Sequence, residues 1–255
     1  MTEMTMNNGA TTKYQRGVSK LRRARQRGVQ ILEFGLVAVV FIPALLGTFV
    51  VGMNLVRINN AKHVVRDLAS LYIHNTDFSM YPNQLLAQRL ATGLDLQVPS
   101  FASGVTNKNT NTSGSGSAII YVTQLMYVGS TSDPNCVAAG TGNCTNQNSF
   151  VFTQRIVFGS SSVKTAHPSF IGDPGTVTIN SQGIVANPVT TAGAKISSSG
   201  QTSLNALWKA SVSSPDVTTD PVDGTIIYLV EGFFDTGSFS MGSVTSQGIY
   251  ARAFF

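Results

Sequence analysis

The chain has 255 residues, of which 11% are charged and 42% hydrophobic, with a mean hydropathy of +0.12. That is little charge for a soluble protein of this size, and it fits one modest soluble domain plus an apolar segment. The formal charge of +5 is unevenly placed: Lys13, Arg16, Lys20, Arg22, Arg23, Arg25 and Arg27 precede residue 28 with Glu3 as the sole acid, leaving ten basic and eleven acidic residues beyond.

The sequence pI of 9.4 is therefore a property of a short N-terminal tail. Net charge gives no support to nucleic-acid binding by the folded body, and no nucleic-acid partner is expected. Immediately before a hydrophobic run, the expected role of the basic tail is topological: it holds the N-terminus in the cytoplasm.

From Val29 to Val56 the only charge is Glu33, and Leu36 to Met53 is an unbroken 18-residue run without a charge. At about 1.5 Å per residue the combined run can cross a hydrocarbon core of about 30 Å, which predicts a single transmembrane helix. Pro43 lies inside it, where it removes one helix hydrogen bond and is expected to bend the helix. A removable secretory signal fits badly, because the run is too long for such a signal and no small-x-small cleavage site follows before Arg57. An uncleaved signal anchor fits the length but leaves Glu33 without a reason. An acid inside a membrane span is by default a functional site with a partner to be named, and here the partner should be a cation. A cut after Gly28 would make Val29 a new N-terminus with a free ammonium, and the Val29 ammonium of a neighbouring copy could then meet Glu33 in low dielectric.

These residues carry a resemblance. Gly28, Glu33 and Phe34, after a basic leader and before a spanning run, resemble a type IV-like prepilin cleavage site. With Pro43, the continuation GMNLVRINNAKHVVRDLASLYIH and the Arg66 to Ala69 segment, the chain resembles TadE-like pseudopilins of the tight-adherence (Flp) pilus system. The match is clearest from Arg22 to about Leu96. The resemblance implies cleavage by a prepilin peptidase between Gly28 and Val29, and assembly through Glu33 and Phe34. It further implies a place in the bacterial inner membrane or in a pilus used for cell adhesion, with partners among other pilins, the assembly machinery and further copies of the chain. Gln30, in the second mature position, and the 28-residue leader depart from the common pattern.

From Leu55 onward, apolar residues recur at Leu55, Ile58, Ala61, Val65, Leu68 and Tyr72, a three-four spacing that predicts an amphipathic helix docked on its own domain. A second helix is expected over 83–94, with Leu86, Leu90 and Leu94 on one side. Residues 98–117 are rich in Ser, Thr, Asn and Gly and read as a polar loop or linker. Strands are expected at Ala118 to Val128, Phe150 to Phe158, Thr176 to Asn180, Thr225 to Phe234 and Gly248 to Phe255, with a short helix holding Leu204, Leu207 and Trp208. The expected organisation is a cytoplasmic leader (1–28), a transmembrane helix (29–56), an amphipathic segment (57–97), the polar loop (98–117) and an extracytoplasmic β-rich domain (118–255). The fold class is α+β, pilin-like, a long N-terminal helix on an antiparallel sheet.

Cys136 and Cys144 lie between the two best strands. Two cysteines without neighbouring histidines cannot close a zinc site, and without a C-x-x-C a redox role is disfavoured, so a structural disulfide is expected outside the cytoplasm. His63, His74 and His167 show no metal-ligand spacing, and no metal or cofactor is expected. No G-x-S-x-G elbow is present, and the GDPGT turn at Gly172 has neither the length nor the lysine of a phosphate loop. Glu231, in a strand ahead of GFFD, receives no catalytic role. The expectation is a non-enzymatic assembly protein. The alternative is an extracytoplasmic enzyme or ligand-binding module that uses the same helix only as a tether.

Overall fold

The computed structural model describes residues 9–140, 142–211, 221–235 and 248–255, with backbone alone for 9–31 and 211. The chain forms two compact units, one up to Leu55 and the other Val56–Phe255. Helix α1 (Gly9–Ile73) continues through Pro43. In the first unit its apolar side chains are exposed all round, with Leu36 at 73%, Phe41 at 62% and Phe49 at 58%. By length and composition this part of the helix could cross a membrane.

In the second unit, Ala61, Val64, Val65, Leu68, Ala69 and Tyr72 form a fully buried stripe while Lys62, His63, Arg66 and Asp67 stay exposed. The expected amphipathic face is thus present; Ile58 is half-buried and Leu55 falls in the other unit. The stripe packs on Ile120 and Val122, Ile156 and Phe158, Val230 and Phe234, and Ala251, drawn from four strands. Gly232 permits the close approach: a Cβ there would lie 2.7 Å from a Val65 methyl.

Those strands belong to a five-stranded sheet, ordered β1-β3-β2-β4-β5. They are β1 (Thr110–Ser113), β2 (Ala118–Val128), β3 (Ser149–Ser160), β4 (Ile226–Phe234) and β5 (Ile249–Phe254). β2 pairs antiparallel with β3 and β4, and β4 with β5, but β1 runs parallel to β3. The sheet is therefore mixed where an antiparallel one was expected. The parallel strand arises inside the segment read as a polar linker, and Asn111 explains why. Its side chain is fully buried and donates to Gln84 Oε1 at 2.7 Å and to the Pro99 carbonyl at 2.9 Å, so hydrogen bonds stand in for apolar burial.

The same network corrects the second helix, α2 (Tyr81–Leu90). It starts at Tyr81 with Pro82 in its first turn and ends before Leu94. Its buried face holds Gln84 and Ala87, leaving Leu86 and Leu90 more than a third exposed. Gln84 donates to the Phe78 carbonyl and accepts from Asn111, which turns that polar position inward.

The opposite face of the sheet is covered by α4 (Ser161–Ala166), a long irregular stretch and α5 (Ser198–Ser211). A β-bulge on β3 at Thr153, opposite Gln124, lets one strand serve both sides: Ile156 and Phe158 face α1, whereas Phe150 and Phe152 join Leu125, Ile171, Leu204 and Leu229 in the second core. The expected strand over Thr176–Asn180 is absent; only a bridge from Ile179 to Val185 forms, because the backbone here pairs with itself around a turn and with β3. Gly183, at φ +82°, closes that turn against β3, where Arg155 N–H donates to its carbonyl at 2.7 Å.

The β2–β3 connection holds α3 (Pro134–Ala139) and the Cys136–Cys144 disulfide, with a Cα separation of 5.0 Å. Asp223 ties this loop down by accepting from the Gly129 and Asn135 amides at 2.7 and 3.0 Å. Burial works against its charge, but those amides outweigh it and hold its carboxyl below the usual range. Its contribution is therefore complete above the unfolded carboxylate pKa and disappears as pH falls through the lower folded value. The disulfide closes a short loop, so Cys136→Ser with Cys144→Ser should lower the stability of the body by about 2–3 kcal/mol, read as a lower denaturation midpoint. An unchanged midpoint would mean that Asp223 and the loop's hydrogen bonds alone hold it.

Candidate functional site

Two features carry charge where apolar surroundings make it costly. The first is on the apolar part of α1. Gly28 and Val29 lie within the helical backbone, and their side chains fall outside the described residues. Glu33 and Phe34 are both exposed, Phe34 at 77%, within the run of exposed Leu32, Leu36, Val37 and Val40. Among the described residues Glu33 takes part in no ion pair. Glu33 lies four positions after Val29, so both lie on one face of the helix about 6 Å apart along its axis. This helix is a candidate membrane span.

The second feature is a buried cluster on the sheet face away from α1. Strand register sets Thr123 opposite Arg155 and Tyr121 opposite Glu231, with Arg252 on the far side of Glu231. Glu231 is fully buried. Its Oε1 accepts from the Phe170 amide at 2.9 Å and the Tyr250 hydroxyl at 2.7 Å, and its Oε2 accepts from the Ser169 hydroxyl. Arg155 Nη1 stands 3.9 Å from Oε2 and donates to Thr123 Oγ1, while Nη2 donates to the Gly172 carbonyl and to Asp173 Oδ1 at 3.1 and 2.7 Å. The guanidinium lies 4.8 Å from the Tyr121 ring centroid, and its Nε is buried without an acceptor. Burial, then the charge of Glu231, pushes the Tyr250 phenol well above its ordinary range, so it serves as a proton-bearing donor.

Chemically this cluster is a clamp. Every oxygen of Glu231 is occupied by a group from the chain, and each hydrogen-bond donor it holds belongs to the cover or to β5. Ser169 is 7% exposed and its hydroxyl is committed to a carboxylate already holding two other donors, which leaves no free base beside a nucleophile. Neither Arg155 nor the role of Glu231 was recognised from sequence. The available signal was that FVFTQRIVF and TIIYLVEGFF each carry one charge in an otherwise uncharged strand, and the two charges have opposite sign.

The histidines remain apart. His63 and His74 are exposed on or just beyond α1, and His74 Nδ1 bonds the Ser70 carbonyl at 2.7 Å. His167 stacks on Phe233 with ring centroids 3.5 Å apart. Among the described residues no group of three His, Cys, Asp or Glu side chains is placed to hold a metal ion. Comparison of this chain with protein-family models, with curated proteins and with solved structures finds no match.

The clamp has a measurable consequence. Glu231→Ala leaves Arg155 with the half-exposed Asp173 as its one carboxylate and strips the Phe170 amide and the Ser169 and Tyr250 hydroxyls of their acceptor, which should cost about 3–5 kcal/mol with faster hydrogen exchange at the Phe170 amide. Arg155→Met combined with Glu231→Leu should recover much of that loss while exchange at Phe170 stays fast. Equal stability of Glu231→Ala and the parent chain would show that the cover is held without the clamp.

Proposed function

We propose that the chain is a TadE-like minor pilin or pseudopilin, a structural or assembly component of a tight-adherence pilus. In this reading it crosses the bacterial inner membrane once, with the basic leader in the cytoplasm and the α+β body in the periplasm or outside the cell. Prepilin peptidase cuts after Gly28. The observation that carries the reading is Glu33, a lone carboxylate on a helix that is otherwise apolar and exposed on all sides.

Such an acid costs about 2.5 to 3.5 kcal/mol near a bilayer centre and less near an interface. A plain anchor has no use for that cost. A subunit packed against copies or relatives does: apolar helices slide past one another with little preference for depth, and one pair between Glu33 and a neighbour's Val29 ammonium selects a single axial register. Seven cations before the span support the orientation. The disulfide supports an oxidising compartment for the body.

The competing class is a tethered enzyme or binding module. Exchange of residues 29–56 for an unrelated anchor separates the two, because a tethered enzyme keeps its activity and a pilin loses its function. Mass spectrometry of the mature N-terminus should find Val29 only when prepilin peptidase is present; a Met1 terminus in its presence removes the ammonium and with it the mechanism. Glu33→Ala should insert normally and yield few or no pili. Normal pilus yield from that variant overturns the pairing.

A further inference from the structure

Strand β5 has β4 on one side and, among the described residues, no strand on the other. Its register shows which backbone groups face outward. Tyr228 and Phe255 exchange both backbone hydrogen bonds, at 2.9 and 3.0 Å. The antiparallel ladder alternates from there, so Ala253, Ala251 and Ile249 bond inward to β4, and Tyr250, Arg252 and Phe254 turn their N–H and C=O groups outward.

An open groove of about 840 Å³ runs along this edge. It straddles the sheet. Ile249, Ala251 and Ala253 pack into the core beneath α1, and on that side Lys62 and Arg66 line the groove. Tyr250, Arg252 and Phe254 point to the other face, where the Arg252 guanidinium sits 4.7 Å over the Phe170 ring. No Asp or Glu is among the lining residues, and among the described residues Lys62, Arg66 and Arg252 take part in no ion pair.

A bare edge, cations on both sides of it and aromatic walls specify an occupant. Two copies meeting edge to edge would set these cations against each other, which disfavours self-pairing. A single phosphate or lipid headgroup would meet the cations but leave the outward backbone groups unused. We propose that the edge is a strand-addition site for an extended, acidic segment of a partner protein. The segment lies as a sixth strand about 4.8 Å from β5, pairs with the outward groups of Tyr250, Arg252 and Phe254, and presents successive side chains to opposite sides of the sheet. Adjacent carboxylates therefore reach Lys62 and Arg66 on one side and Arg252 on the other. The site uses no residue of the apolar run and does not depend on the function assigned to that run.

The test uses the full chain in micelles of a neutral detergent. The probe is a fluorescent, end-capped octapeptide of Val and Thr flanking two Glu-Glu pairs. Saturable binding is expected, and a Lys-for-Glu analogue and an analogue N-methylated at alternate residues should each bind at least about tenfold more weakly. Lys62→Glu and Arg66→Glu, both on the exposed face of α1, should each weaken the parent peptide about tenfold without moving thermal unfolding. Equal binding of the N-methylated peptide would reduce the site to electrostatics and overturn strand addition. So would displacement of the peptide by phosphatidylglycerol with the same loss in both variants, which assigns the cations to lipid. Self-association lost in those variants would assign the edge to a second copy, and failure of the parent peptide to bind rejects the site outright.

Discussion

Arg155 and Glu231, 3.9 Å apart inside the sheet, together hold the irregular cover to one of its faces. One face of the sheet is covered conventionally, by a helix with an apolar stripe. The other lies beneath a stretch with little regular structure, whose backbone groups still need partners once removed from water. Arg155 and Glu231 supply several of them: the carboxylate takes the Phe170 amide and the Ser169 hydroxyl, and the guanidinium takes the Gly172 carbonyl and Asp173. Two charges from the middle of the sheet thus do for the cover what a strand ladder does elsewhere. Their desolvation is offset by each other, by the ring of Tyr121 and by the number of hydrogen bonds converging on them. Because Tyr250 joins the same carboxylate, the clamp also fixes β5, whose far edge carries no strand among the described residues.

What the sequence revealed follows from how each element is stabilised. The four long strands and the stripe on α1 are held by apolar burial, and their β-branched, aromatic or three-four patterns were legible. Three elements held by polar contacts were not. β1 is fixed by Asn111, an ordinary loop residue by composition. The face of α2 is decided by Gln84, whose two amide contacts outweigh the exposure of Leu86 and Leu90. The segment at Thr176–Asn180 has strand-like composition but folds on itself around Gly183. Composition and period measure what a side chain gains by leaving water. They are blind to what a hydrogen bond permits once it is there. The disulfide was legible because compartment and spacing suffice, whereas the clamp needed two distant strands to be seen in register.

The apolar part of α1, a candidate membrane span, raises the same question. Glu231 is buried and the chain itself neutralises it; Glu33 lies in an apolar run, and among the described residues nothing neutralises it. Among the described residues the one deeply buried acid is fully compensated, so an uncompensated acid in a candidate span is the exception, and it is the feature on which the proposed function rests. The pilus reading supplies one from the chemistry of cleavage, since the cut that removes the basic leader also creates the ammonium.

The groove beside β5 extends this logic to the surface. Scattered surface lysines are ordinarily just hydrated and carry little information. Lys62, Arg66 and Arg252 differ because they converge on one depression from both sides of an edge whose backbone groups have no partner strand among the described residues. Clamping Tyr250 from behind fixes the position of those groups, so a partner strand would meet a preformed edge and lose less entropy in docking. The buried carboxylate that secures the cover thereby also holds β5, whose outer edge is the proposed docking surface, which ties the folding of the body to the surface it presents.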